Sequence, residues 1–349
     1  MRSFQIQQFG QPLGDVIGDT PKLEGSQILL KISGCGVCHS DLHLQDGYFD
    51  LGDGKKVDMT RAMALPRTPG HEIVGTVSAL GPNASGVKVG DRRVVYPWIG
   101  CGACSLCKAG DEQLCSAPRA MGINRDGGFS EYTVVPDSKY LLAFDPLPEE
   151  QACTYACSGL TAAGALKKAG KLGAGDPLLI IGAGGVGLSG IRLAKTLCGV
   201  APIVAEIDQS KWETARKAGA ADVIDPNADG AVRALLKSSG GGVAAAIDFV
   251  GAGSTFNFGF NVLRKAGKLI VVGLFGGSSP IAPAMVAMKA ATITGSYVGS
   301  LAEMHELMKI ARSGTLPALP VATRPLANVN EVLTDLKGGR IRGRIVVQP

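Results

Sequence analysis

No stretch of this sequence approaches the roughly 18 consecutive apolar residues of a membrane-crossing helix, so no membrane partner is expected. Nor does it hold a block of basic residues. The formal charge of +5 over 349 residues is small and its lysines and arginines are scattered, so no nucleic-acid partner is expected. Met1 to Gly10 is polar and carries no apolar leader core, which makes the cytoplasm the expected compartment. Charged residues reach only 19%, against 46% hydrophobic, a balance that fits a folded chain rather than a disordered one. Glycine and cysteine, in contrast, are plentiful. The 49 glycines are about double the usual share and announce tight turns and close backbone approaches. Nine cysteines without an export signal serve metals or packing rather than disulfides.

The length favours two domains. Residues 1–154 read as mostly β, with short apolar runs at 28–32, 73–77 and 92–95 between Gly, Pro and Asp turn signals. Over 155–299 the pattern changes to strand–helix alternation. Strands are expected at 177–182, 202–207, 223–224, 243–250, 268–273 and 292–297, and helices at 162–169, 186–197, 209–218 and 227–237. Such alternation predicts an α/β unit with a doubly wound parallel sheet. The tail, 300–349, holds one helical stretch at 301–312 and a closing strand, "RIVVQP".

"IIGAGGVGLSGIRLAK" sets Gly182, Gly184 and Gly187 in G-x-G-x-x-G register, with Gly185 and Val186 between them, directly after a strand and opening a helix. The first glycine permits the turn and the second lets backbone N–H groups reach a pyrophosphate. The third allows close helix packing, and the helix N-terminus favours the anion. Glu206 follows nineteen residues after Gly187, where a carboxylate accepts ribose hydroxyls and disfavours a 2′-phosphate, so NAD is expected over NADP. Lys211 reads either as a second ribose contact or as a solvated helix lysine.

"CGACSLCKAGDEQLC" places Cys101, Cys104, Cys107 and Cys115 within fifteen residues, close enough to close a tetrahedral all-cysteine zinc site. An iron–sulfur cluster and idle thiols are the alternatives. With four ligands filled, such an ion organises a loop rather than catalyses. A catalytic zinc needs three further ligands, and Cys35, Cys38, His39, His43, His71, Glu72, Cys153, Cys157 and Cys198 remain. Spacing alone does not choose among them.

"CGVCHSDLH", "PGHEIVGTV", the cysteine loop, "DGGFSEY", "ACSGLTA", "GAGGVG" and the closing "GRIVV" stand in the order typical of zinc-dependent medium-chain alcohol dehydrogenases, and the whole chain resembles that family, its bacterial and yeast-type NAD-dependent members most of all. The resemblance implies a GroES-like β-barrel catalytic domain (1–154), a Rossmann cofactor domain (155–299) and a C-terminal segment (300–349) that returns to the catalytic domain. It implies two zinc ions per subunit and NAD. Cys38, His71 and Cys157 would hold the catalytic zinc, with Glu72 beside them as an occasional ligand. Cys35, Cys153 and Cys198 are then packing thiols. Asp41 would fix the His71 ring, although a helix-capping carboxylate is the alternative.

Ser40 and His43 match the family's proton relay. An alcohol, whose pKa is roughly 16 like that of water, must lose its proton before hydride departs. In the family, Ser40 would pass that proton through the nicotinamide ribose to His43 and solvent, unless His43 is simply a solvated loop residue. His39 and Arg344 match pyrophosphate contacts, though Arg344 also reads as an edge-strand charge. Val272, Gly273 and the stretch 296–299, including Val298, would lie against the nicotinamide.

Tyr48, Phe49 and Trp98 are candidates for the substrate-pocket wall, and Trp98 equally for core packing. The segment 50–66 is longer than the family's usual connection and reads as either a remodelled cleft or a surface loop of mixed charge. The implied substrate is a small-molecule alcohol or carbonyl, and the implied assembly a homotetramer or dimer. A dehydrogenase for polyols or other functionalised alcohols, and a non-catalytic NAD-binding zinc protein, fit the intact cysteine set and relay less well.

Overall fold

A computed structural model describes residues 1–61 and 63–349. Two sheets organise it. In the first, the strand Ile28–Gly36 is central and almost wholly buried. It pairs antiparallel with Glu72–Leu80 along one edge. Its other edge is shared by Tyr132–Val135 at the start and Arg344–Gln348 at the end. Arg92–Val95 and Leu141–Leu142 extend this sheet on one side, and Val321–Pro325 on the other. The C-terminal strand thus sits against the strand that carries Cys35, with Cys35 opposite both Val347 and Ile73.

The antiparallel register does one thing that matters for the site. Gly36 stands opposite Glu72, so the chain leaving one strand towards Cys38 and the chain reaching the other through His71 meet at the same end.

The second sheet is parallel throughout, in the order Asp222–Ile224, Ile203–Ala205, Leu178–Ile181, Val243–Asp248, Leu263–Val271, Thr292–Gly295. Numbered along the chain this is 3-2-1-4-5-6, the dinucleotide-binding order, whose switch point lies between the first and fourth strands. Leu178–Ile181 and Val243–Asp248 are buried at every position, as strands covered by helices on both faces must be. The helix Ser158–Ala169 carries the chain from the first sheet to the second, and all but two of its residues are buried.

Within residues 155–349, three helices stand outside the expected set: Gly253–Asn261, Pro283–Lys289 and, in the tail, Val329–Lys337, a second helix after Leu301–Arg312 where one is expected. The expected elements themselves differ mainly at their ends. The strand expected at 268–273 begins earlier, as Leu263–Val271, and the helix expected at 227–237 is Ala231–Ser238. The segment 50–66, in which Ala62 lies outside the described residues, opens with a two-stranded hairpin, Tyr48–Gly52 with Lys55–Asp58. No helix among the described residues is long and apolar enough to cross a membrane.

Candidate active site

The helix His39–Asp46 follows the central strand with Cys38 as its N-cap. The Asp41 carboxylate reaches back along the first turn and accepts the Cys38 N–H at 2.9 Å, while its other oxygen accepts the Gly70 N–H at 3.2 Å. That second oxygen also lies 3.2 Å from Nδ1 of His71. Asp41 is therefore both a helix cap and a neighbour of the His71 ring, the two roles its sequence position left open.

Cys38, His71 and Cys157 converge. Their three ligand atoms lie within 4.8 Å of one another and all three residues are buried. Cys157 is set there by the junction between a short 3-10 turn, Cys153–Ala156, and the helix that follows it. His71 is fully buried, and the contact between its Nδ1 and Asp41 lies off the line of a hydrogen bond. Its Nε2 has no hydrogen-bond partner among the described residues. Burial alone would keep the ring neutral, but Asp41 and Cys38 outweigh it and hold the His71 pKa well above the usual value. The hydrogen bond from the Cys157 thiol, helped by His71, holds Cys38 well below the ordinary thiol range despite its burial. Two sulfurs and an imidazole, gathered out of water with neither ring nitrogen hydrogen-bonded and Nδ1 facing Asp41, are the donor set of a three-ligand zinc site.

Glu72 is completely buried behind this trio. Its Oε1 accepts the Ser158 N–H at 3.2 Å, and its Oε2 is paired with the Arg344 guanidinium. Burial pushes the Glu72 carboxyl up to about 7, against the pull of Arg344. Arg344 in turn lies over the glycine loop, where a β-carbon on Gly185 would meet its Cδ at 2.7 Å. With His39, Gly184, Gly185, Lys211 and Arg342 it lines the cleft in front of that loop. Lys211 stays near Asp208, at 3.6 Å.

In the loop itself Gly182 has φ +92°, and a β-carbon on Gly187 would lie 1.9 Å from Gly182 O. Both therefore meet the turn and packing demands expected of them. Val186 follows Gly185 in the first turn of the helix Gly185–Cys198. Glu206 follows the strand Ile203–Ala205 and is buried, accepting the Ala183 N–H at 2.7 Å and the Asp208 N–H at 2.9 Å. Val272 donates its N–H to Asp248 O at 2.9 Å, and Val298 lies past the end of the last strand.

Ser40 Oγ is 3.9 Å from Cys38 Sγ. His43, half-buried, packs against Phe49 with ring centroids 4.7 Å apart and the rings tilted by 37°, and its pKa is lowered by burial and by His39. Trp98 is buried, donates its ring N–H to Ala156 O at 3.0 Å, and stands 5.3 Å from the His71 ring. It fills core and faces the trio at once. Tyr48 is different: it turns its ring to Lys56, whose Nζ lies 3.7 Å from the centroid. Tyr297, within the stretch 296–299 expected against the nicotinamide, stands 6.1 Å from Trp98.

The second cysteine group is Cys101, Cys104, Cys107 and Cys115, whose sulfurs also lie within 4.8 Å of one another. Backbone N–H groups of Ala103 and Cys104 point at Cys101 Sγ and lower its pKa to about 6. Gly100 is required here, since a β-carbon on it would fall 2.4 Å from Cys107 Sγ. Glu112 fastens this loop to the sheet, accepting from Gly100 N at 3.0 Å, Tyr140 OH at 2.7 Å and Lys139 Nζ at 2.9 Å. Cys35, Cys153 and Cys198 are free and fully buried apart from both groups.

Residues 24–146 match the alcohol dehydrogenase GroES-like domain family, and residues 185–313 the zinc-binding dehydrogenase family. An NAD-dependent alcohol dehydrogenase of Sulfurisphaera tokodaii is 35% identical over 351 residues, covering all of both chains. An alcohol dehydrogenase of Geobacillus stearothermophilus is 32% identical over all of this chain and 99% of its own. The crystal structure of the alcohol dehydrogenase from Aeropyrum pernix superposes with a TM-score of 0.89 at 30% identity, again over the whole of both chains. With its GroES-like and Rossmann halves, its cysteine–histidine trio and its glycine loop, the chain belongs to the zinc-dependent medium-chain alcohol dehydrogenases, as an NAD-linked member of that enzyme family.

Proposed function

We propose that the enzyme interconverts a small primary or secondary alcohol and its aldehyde or ketone. Oxidation releases a hydride to NAD and a proton to water, and reduction reverses both. The observation that carries this reading is the unpartnered Nε2 of the buried His71 beside the sulfurs of Cys38 and Cys157. These three residues would hold a catalytic zinc, and Cys101, Cys104, Cys107 and Cys115 a structural one, two ions per subunit. When bound, the catalytic ion supplies Lewis acidity that makes an alcohol proton easier to lose.

The protein's own groups do the rest. Asp41 orients the His71 ring through Nδ1, leaving Nε2 for the metal. Ser40 Oγ, next to Cys38, accepts the substrate's hydroxyl proton. His43, its pKa below the usual value, is neutral at pH 7 and receives that proton on the solvent side. Trp98, Phe49 and Tyr297 form apolar walls that keep water from the reacting carbon. Tyr48, turned to Lys56, has the weakest claim to the pocket. Gly182, Gly184, Gly185, Val186 and Gly187 cradle the pyrophosphate with His39 and Arg344. Glu206, helped by Lys211, takes the ribose hydroxyls, and Val272 and Val298 flank the nicotinamide.

The strand Thr292–Gly295 has one open edge, with Ile293 and Met288 exposed nearby, which supports edge-to-edge pairing of cofactor domains in a homotetramer or dimer. The cytoplasm remains the compartment that the free thiols favour.

A panel of alcohols assayed by nicotinamide absorbance, with NAD and NADP in parallel, tests the reading. Turnover with NAD is expected. Silence across the panel would sink it, and equal rates with NADP would remove the role given to Glu206.

A further inference from the structure

Val298 has φ +40°, in the left-handed region that a β-branched residue enters only under constraint. It sits in the turn that follows the last parallel strand, at the carboxyl edge of the sheet, where cofactors bind in this architecture. The turn is pinned on both sides. Ser296 N–H donates to Val271 O at 2.8 Å, and Lys168 Nζ reaches Ser296 Oγ at 3.1 Å. Beyond the turn, Ser300 and Glu303 cap the helix Leu301–Arg312 reciprocally. From below, Gly164 lets the Val298 carbonyl approach, since a β-carbon there would lie 2.6 Å from that oxygen.

The remaining tie comes from the other domain. Tyr96 is fully buried, and its hydroxyl donates to Gly299 O at 2.9 Å across 203 residues of chain. Its ring stacks on Tyr140 at 6.3 Å, so the hydroxyl is aimed by packing. Tyr96 is two residues before Trp98, which faces both His71 and Tyr297.

We propose that Tyr96 is a positioning residue for the nicotinamide end of the cofactor. By holding Gly299 O, it keeps Val298 in the left-handed conformation that turns the backbone of this loop towards the carboxamide. It touches no reacting atom and acts only through the loop. The inference rests on the reading of the chain as an NAD-linked dehydrogenase.

The test is the Tyr96→Phe variant, which removes one oxygen and leaves the ring. Binding of NAD should weaken about fivefold, the scale of one neutral hydrogen bond, with a matching rise in KM for NAD. Binding of ADP-ribose, which lacks the nicotinamide, should stay within about twofold of wild type. In a Val298→Gly background, where the left-handed backbone needs no tether, the NAD penalty of Tyr96→Phe should shrink to less than about twofold.

Gly164→Ala pushes the same loop from the opposite side, and should weaken NAD but not ADP-ribose even if Tyr96→Phe folds poorly. Equal losses for both ligands, or no loss for either, would overturn the inference. A wild-type protein that binds ADP-ribose but not NAD would instead sink the dehydrogenase reading, and this inference with it.

Discussion

A β-carbon on Gly36 would lie 2.0 Å from Oε2 of Glu72. The glycine of C-G-V-C is thus there to make room for a buried carboxylate, which also holds Arg344 and the N–H of Ser158, next to Cys157. Gly36→Ala must displace Glu72 and leave Arg344 without its partner, a change of the kind that costs about 3–5 kcal/mol when a buried ion pair is broken. With the two zinc ions per subunit proposed above, the expected result is a fall to one, with the four-cysteine ion retained. Metal analysis beside a melting curve checks it, and full zinc with unchanged activity would refute it.

Cys35 shares that motif but packs elsewhere. It is fully buried, and β-carbons on Gly70 and Gly128 would fall 2.9 Å and 2.6 Å from its sulfur. Cys35→Ala should therefore cost about 1 kcal/mol of stability, as deletion of a small buried group does, while both zinc ions stay bound. A variant that lost the catalytic ion would reverse the division of labour between the two cysteines of C-G-V-C.

What was legible in the sequence was local. The glycine loop and the four-cysteine loop are each compact in the chain, so their spacing carries their chemistry. The Glu72–Arg344 pair spans 272 residues and depends on the C-terminal strand lying beside the central one, which no spacing reveals. The helix His39–Asp46 is signalled only by the capping option at Asp41, because Leu42 and Leu44 alone are apolar in "HSDLHLQD", too few to draw a stripe. The hairpin at Tyr48–Asp58 carries its own turn signal. Asp53 and Gly54 are a two-residue Asp-Gly turn with φ of +52° and +74°, but the mixed charges around them read as a loop.

Glu112 links the cysteine loop to acid stability. Burial opposes its charge, but Lys139, Gly100 and Tyr140 win and hold its pKa below the usual carboxylate value. A carboxyl depressed on folding stabilises the protein fully above its unfolded pKa of about 4.3. That contribution is lost as pH falls through the lower folded value. Glu112→Gln should thus cost about 1–2 kcal/mol near pH 7, and the gap from wild type should narrow as pH drops below about 4. Denaturant titrations at pH 7, 5 and 3.5 would show it. A gap that stayed constant across the series would mean the carboxylate's charge contributes nothing.

The hairpin meets the cofactor domain through glycines. Leu51 O accepts the Gly277 N–H at 2.7 Å, and a β-carbon on Gly52 would lie 2.3 Å from Gly277 Cα. Gly277 belongs to the loop that continues from Val272, and Phe49, on the hairpin, packs against His43 with its ring tilted. The hairpin therefore spans from His43, the proposed relay histidine, to the loop proposed to flank the nicotinamide, a place from which it would form one wall of the substrate entrance. Gly52→Ala, which also strains a residue at φ +77°, must lift the hairpin away. With the wall withdrawn, kcat/KM for a bulky secondary alcohol should rise relative to ethanol by about tenfold, the low end of what one pocket contact contributes. Zinc content should not change, because neither metal group draws a residue from this segment. If the ratio of kcat/KM values across a series of alcohols is the same in the variant as in wild type, the hairpin is a surface ornament and specificity lies with Trp98 and Tyr297 alone.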